Sequence, residues 1–328
     1  MQFTPSYFNI SDDDFLERID KAFLMLSHCN VCPHDCFVDR TNNEVGKCIS
    51  GLLPIVSSYT LHFGEEPVLS GKNGAGNIFF GNCNLKCVYC QNHEISQNWK
   101  AEKQNEISFQ QLAEIMLALQ NQNAHNIGLV SPTHFTPQIL KSLFLAKKIG
   151  LRLPIIYNTN GYDSVAVLKL FTDVIDIYLP DLKYGNNTVG KQLSKVNDYF
   201  DKAKLSIKEM FNQVGDKLIY DDDVVLRGLI IRHLVLPSRL SESEKVLEFI
   251  AKELSPKVHV SIMAQYYPTH KAEKNFLINR KIIASEYDEV LSLLDKYNLE
   301  NGWMQEFESS DFYLPEFNND RANPFGNK

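Results

Sequence analysis

From Asn77 onward, short apolar runs alternate with stretches in which apolar residues recur at helical spacing. Runs at Asn77–Phe80, Ile127–Val130, Ile155–Tyr157, Val174–Leu179, Gly228–Leu236 and Val258–Met263 are apolar or β-branched almost throughout. That pattern predicts strands of a parallel sheet covered on both faces, because a half-solvated strand would alternate with polar residues. Between them lie predicted helices. Ser108 with Gln111 forms a capping box, Ile107 and Leu112 are placed as a hydrophobic staple, and Leu112, Ile115, Met116 and Leu119 share a face. Thr136-Pro137 opens a further helix that Gly150 can end, Asp163 is placed to cap another, Ser241 with Glu244 reads as a second capping box, and Ser285–Tyr297 is the last helix. Six βα units in series predict an α/β protein, a partial (β/α)6 TIM-like barrel, with its chemistry at the carboxyl ends of the strands.

The first 76 residues follow another pattern. Residues 11–26 form an amphipathic helical stretch with an acidic first turn, then come four cysteines, and then HFGEEPVLSGKNGAG, which has no clear period. The expected organisation is an N-terminal extension with a four-cysteine metal site over residues 1–76, and a barrel with a C-terminal tail over 77–328. Residues 184–215 should add helix and loop between the fourth and fifth strands, and Trp303 is expected in the core.

Composition narrows the functions available. Of 328 residues, 44% are hydrophobic, enough for a large core in one main domain, and the net charge of -7 denies the chain the basic footprint that a nucleic-acid or anionic-membrane partner needs. The start, MQFTPSYFNISDDDF, lacks a basic segment followed by an apolar one, and no long uninterrupted apolar run occurs. The expectation is a cytoplasmic protein. Seven cysteines in a reducing compartment point to metal rather than to disulfides, which an odd number could not all form.

All seven fall in two groups. Cys83, Cys87 and Cys90, in CNLKCVYCQNHE, follow the first barrel strand directly. Three thiolates on one loop can hold three irons of a four-iron cluster and leave the fourth open to a ligand. The alternative is zinc with His93 as fourth ligand. Cys29, Cys32, Cys36 and Cys48 supply four ligands, which saturate either a zinc ion or a second [4Fe-4S] cluster, so this site reads as closed and serves structure or electron relay.

The string Cys-x3-Cys-x-aromatic-Cys, with Tyr89 at the aromatic position, resembles the radical S-adenosylmethionine (SAM) superfamily, and GNCNLKCVYCQN is similar to the activating enzymes of glycyl radical enzymes. The phrases HFGEEPVLSG, SPTHF, RGLIIRHLVLP and QYYP resemble a branch described as pyruvate formate-lyase activating enzyme-like iron-sulfur proteins, and the likeness runs from about Cys29 to Trp303. The resemblance implies a [4Fe-4S] cluster, SAM, an electron donor such as flavodoxin or ferredoxin, and hydrogen abstraction from a protein or peptide or from a small molecule. A binding scaffold or electron carrier without catalysis is the alternative outside enzymes. It also implies binding groups at the strand ends. Ser131, Thr133 and His134 stand where the superfamily has a Gly-Gly-Glu-type turn, with hydroxyls or a carbonyl to receive the methionyl amine. Asn158 and Asn160 are candidates for the ribose, and Asp181 and Lys183 for the ribose or the methionyl carboxylate. His233 and Gln265 are polar candidates for the lumen; Arg232 and His233 must point to opposite faces, so one of the two enters it.

Overall fold

A computed structural model describes residues 3–307 and 314–326. Nine strands form its sheet: β1 (Val56–His62), β2 (Ala75–Phe80), β3 (Ile127–Val130), β4 (Ile155–Thr159), β5 (Ile177–Pro180), β6 (Ile219–Asp221), β7 (Val224–Leu234), β8 (His259–Met263) and β9 (Gly302–Met304). The order is β1-β2-β3-β4-β5-β7-β8-β9, with β6 paired antiparallel to β7 at the side. All neighbours from β2 to β9 run parallel, including the six strands that the apolar runs predict. The sheet curls with helices outside it, and its two ends, β1 and β9, are not paired with each other. This is the partial barrel.

Several helices form for the reasons legible in the sequence. Ser11 caps helix Asp12–Ser27 by accepting the Asp14 N–H at 3.1 Å. The Ser108–Gln111 capping box is complete, and Gly150, at φ 112°, ends helix Thr136–Ile149 in a left-handed turn. Residues 184–215 contribute helices Asn187–Ser194 and Tyr199–Val214.

Four expectations change. The N-terminal extension is built into the sheet, since β1 pairs antiparallel with β2 and covers its edge. Trp303 lies on β9 and is only half-buried, packing against the rim of a small core cluster while also lining a cavity wall. Ser241 and Glu244 form no capping box: helix Ser243–Phe249 begins after Glu242 without a side-chain cap, and the Ser241 hydroxyl meets that of Ser243 at 3.0 Å. Asp163 caps nothing either. Its carboxylate, only 3% exposed, accepts hydroxyl hydrogens from Thr133 at 2.7 Å, Tyr157 at 2.8 Å and Thr159 at 2.6 Å. Burial raises its pKa, against the lowering by those three donors.

The C-terminal tail returns to the β1 side. Phe317 packs edge-on against Phe79 at 5.4 Å, the Asn318 N–H donates to Glu94 at 2.9 Å, and Arg321 pairs with the buried Glu102 at 2.8 Å.

Asp163 thus ties the turn after β3 to the turn after β4. Replacing it by alanine strands three buried hydroxyls and should lower the unfolding free energy by about 3 kcal/mol. Urea denaturation of the two proteins measures this; an unchanged midpoint would show that the hub carries no load.

Candidate active site

The carboxyl ends of the strands surround a cavity of about 740 Å³ that reaches the open side of the barrel, where residues after β1 (Phe63, Gly64) and on β9 (Trp303, Met304) both line it. Its inner wall holds Cys83, Cys87 and Cys90, because the loop after β2 folds back over the strand ends.

Each of these sulfurs has a polar partner. Cys83 Sγ accepts from Asn160 Nδ2 at 3.5 Å and from the Leu85 N–H at 3.4 Å; Cys87 Sγ lies 3.0 Å from Ser194 Oγ, and Cys90 Sγ 3.3 Å from Ser96 Oγ. Burial pushes the free thiols up, Cys87 to about 12, and Lys183 works against that shift at all three. Lys183 itself pairs with Asp181. Burial works against its ammonium, but Asp181 and Cys87 outweigh burial and raise its pKa. Three thiols facing one cavity, with donors at Cys83, serine hydroxyls able to donate at Cys87 and Cys90, and a cation beside them, fit a cluster that takes its ligands as thiolates. His93 does not join them. Its ring stacks on His270 at 4.7 Å and its Nδ1 donates to the Cys90 carbonyl at 3.2 Å.

The strand-end candidates separate into two sets. Tyr89, Ser131, Asn158, Asn160, Asp181, Lys183 and Gln265 line the cavity. Tyr89 is held by its hydroxyl, 2.6 Å from that of Tyr184, and Gln265 Oε1 accepts from Gln305 at 3.0 Å. Thr133, His134 and His233 stand outside the cavity. Thr133 serves the Asp163 hub. His134 Nε2 donates to the Gly81 carbonyl at 2.9 Å, and burial brings its pKa down to about 3. His233 Nδ1 donates to the Leu182 carbonyl at 2.7 Å while Nε2 accepts from the Ser243 hydroxyl at 2.8 Å; burial lowers its pKa to about 4. It is Arg232 that enters the cavity, as strand alternation allows.

A profile of the radical SAM superfamily matches residues 77–229, the stretch that holds the three cysteines and the candidates up to Lys183. An uncharacterized protein of Methanocaldococcus jannaschii is 36% identical over 294 residues, covering 86% of this chain and 79% of the relative. The chain belongs to the radical SAM superfamily. The crystal structure of methylornithine synthase (PylB) aligns at a TM-score of 0.43 with 12% identity, over 88% of this chain and 70% of that one.

Membership implies a [4Fe-4S] cluster and SAM at this site. Superfamily motifs gave no warning of one part of it. Glu65 and Glu66, from the HFGEEP loop, enter the cavity and both pair with Arg232, whose Nε donates to Glu66 at 2.8 Å. Asn77 donates to Glu65 at 2.6 Å. Burial would raise the Glu65 pKa, but Arg232 and His62 outweigh it and hold the carboxyl well below the usual carboxylate range. Two adjacent glutamates between apolar residues were the available signal, since such a pair is costly to bury without a cation supplied from elsewhere in the chain.

The four N-terminal cysteines lie together, near enough for Cys29, Cys36 and Cys48 each to act electrostatically on Cys32. Among the described residues, no three His, Cys, Asp or Glu side chains converge as a single metal ion would need. No described helix is long and apolar enough to cross a membrane.

Within the SPTH turn, Ser131 lines the cavity and Thr133 does not. Ser131→Ala should weaken SAM binding by about 1–3 kcal/mol, the cost of leaving a buried polar partner unpaired, with thermal stability near that of the parent. Thr133→Val should do the opposite, lowering stability and leaving affinity unchanged. Calorimetric titration of reconstituted protein and thermal melts decide; equal effects on affinity would remove the distinction.

Proposed function

We propose that this radical SAM enzyme abstracts hydrogen from a protein or peptide, in the manner of a glycyl radical enzyme activase. The observation that carries the substrate class is the open side of the barrel. Because β1 and β9 are unpaired ends, the cavity extends sideways to the surface, past Phe63 and Met304, each 61% exposed. An extended segment can enter there and lie along the outer edge of β9, which among the described residues pairs only with β8, as peptides commonly do at sheet edges. The likeness of GNCNLKCVYCQN to the activases supports the same reading.

Cys83, Cys87 and Cys90 would hold the cluster, and Ser131, Asn158, Asn160, Asp181 and Lys183 would hold SAM. When bound, the cluster and SAM together would supply the one-electron reductive chemistry that makes hydrogen abstraction from a substrate possible. The protein's share is placement and shielding. Asn160 directs a hydrogen at Cys83, the Ser194 and Ser96 hydroxyls stand within hydrogen-bond reach of Cys87 and Cys90 and could donate to thiolates there, and Lys183 offsets the charge. Tyr89 and Tyr266, with ring centres 5.7 Å apart, wall the site on the cysteine-loop side. An external low-potential donor, a flavodoxin or ferredoxin, would supply the electron.

Anaerobically reconstituted protein with a strong reductant should release 5'-deoxyadenosine and methionine slowly from SAM alone, and Cys87→Ala should abolish this. Unchanged cleavage in the variant would sink the assignment. The substrate class is read by isotope transfer: with lysate from deuterated cells split by size, deuterium should enter 5'-deoxyadenosine from the macromolecular fraction. Transfer from the small-molecule fraction alone would overturn the peptide reading.

A further inference from the structure

Three hydroxyls stand in series between the cavity wall and one of its sulfurs. The Tyr89 hydroxyl lies 2.6 Å from that of Tyr184, the Tyr184 hydroxyl 2.7 Å from Ser194 Oγ, and Ser194 Oγ 3.0 Å from Cys87 Sγ. Tyr89, Tyr184, Ser194 and Cys87 are all buried, Tyr184 and Ser194 completely. Their surroundings hold them in place. Lys86 N donates to the Ser194 carbonyl at 3.2 Å and Val88 N to the Leu193 carbonyl at 2.8 Å, so the end of helix Asn187–Ser194 is fixed to the residues on both sides of Cys87. The Tyr184 ring packs edge-on against Tyr199 at 5.1 Å. The Tyr199 hydroxyl in turn lies 2.9 Å from the Asn160 and Asp181 carbonyls and accepts the Lys183 N–H at 3.0 Å.

The hydrogens fix the direction of the series. Among the described residues, the three hydroxyls have no hydrogen-bond partner outside it. With Cys87 as a thiol, one S–H or O–H is left without an acceptor. With Cys87 as a thiolate the count closes: Ser194 donates to sulfur, Tyr184 to Ser194, and Tyr89 to Tyr184. Burial raises the pKa of both phenols, which keeps them as donors.

We propose that Tyr184 and Ser194 are positioning residues for the cluster, and that through them the series from Tyr89 sets the strength of the hydrogen bond at Cys87 and so the potential at which the cluster accepts its electron. Hydrogen bonds in series polarise one another, so the phenols strengthen a bond they do not themselves make. A donor at a cluster sulfur favours the more negative, reduced state and raises the potential. The inference rests on the cluster reading of Cys83, Cys87 and Cys90 and is independent of the substrate class.

The test is a redox titration of the reconstituted full chain, followed on the reduced-cluster signal that added SAM alters, which singles out the three-cysteine site. Ser194→Ala should lower the midpoint, cutting the equilibrium constant for reduction about ten-fold, and Tyr184→Phe, which keeps the ring and its packing, should cut it about three-fold. Tyr89→Phe should have the smallest effect. The double variant decides. If Tyr184 acts through Ser194, adding Tyr184→Phe to Ser194→Ala should leave the midpoint where Ser194→Ala put it. Shifts that add, or a Tyr184→Phe midpoint equal to the parent's, would overturn the series. If Ser194→Ala does not hold the cluster, the comparison moves one link outward: Tyr89→Phe should be silent in the Tyr184→Phe background, and additive shifts there again overturn the series. A parent protein without the SAM-sensitive signal removes the cluster and the series together, whereas a normal signal with unmoved midpoints removes the series alone.

Discussion

Three sulfurs that must carry negative charge while shielded from water set the terms for their surroundings. A thiolate in an apolar wall is unstable unless donors and cations meet it, and no single element of this chain could bring them all. Ser96 comes from the short helix that follows the cysteine loop, Asn160 from the turn after β4, Lys183 from the turn after β5, and Ser194 from the end of the helix beyond. The parallel sheet is what lets these distant residues meet, since every strand delivers its carboxyl end to the same rim.

At the same rim the turns are tightly braced. Ser131 sits at φ 58° directly after β3, and Gly161, at φ 81°, passes so near the Asp181 carbonyl that a Cβ would come within 2.4 Å of it. The Asp163 hub anchors the neighbouring turns from below. The site's polar groups are thus positioned by backbone packing and by a buried carboxylate that touches none of the cavity's contents.

Much of this was legible in the chain. Ile127–Val130 and the capping box at Ser108 depend on local pattern, and local pattern placed them. The cysteine loop was legible because ligand spacing is local too. What pattern could not settle was direction and pairing across the fold. His233 was the lumen candidate, since alternation said only that one of Arg232 and His233 faces inward, until the structure placed Arg232 in the cavity and His233 against the β5 turn; Asp163 looked like a cap because its three hydroxyl partners lie on other segments or on the strand before it. β1 was missed because Ser57, Ser58 and Thr60 make it polar for a covered strand; it is an antiparallel edge, and one of its faces meets the C-terminal tail.

The unclosed sheet has a consequence for economy of turnover. A full barrel admits only what fits its mouth, whereas among the described residues no strand of this one joins β1 to β9. On the proposed function, the missing wall is supplied by the guest chain itself, so the reactive centre is sealed only when something worth oxidising is present. Commitment then follows occupancy, and fidelity comes from an absence in the architecture as much as from any contact within it.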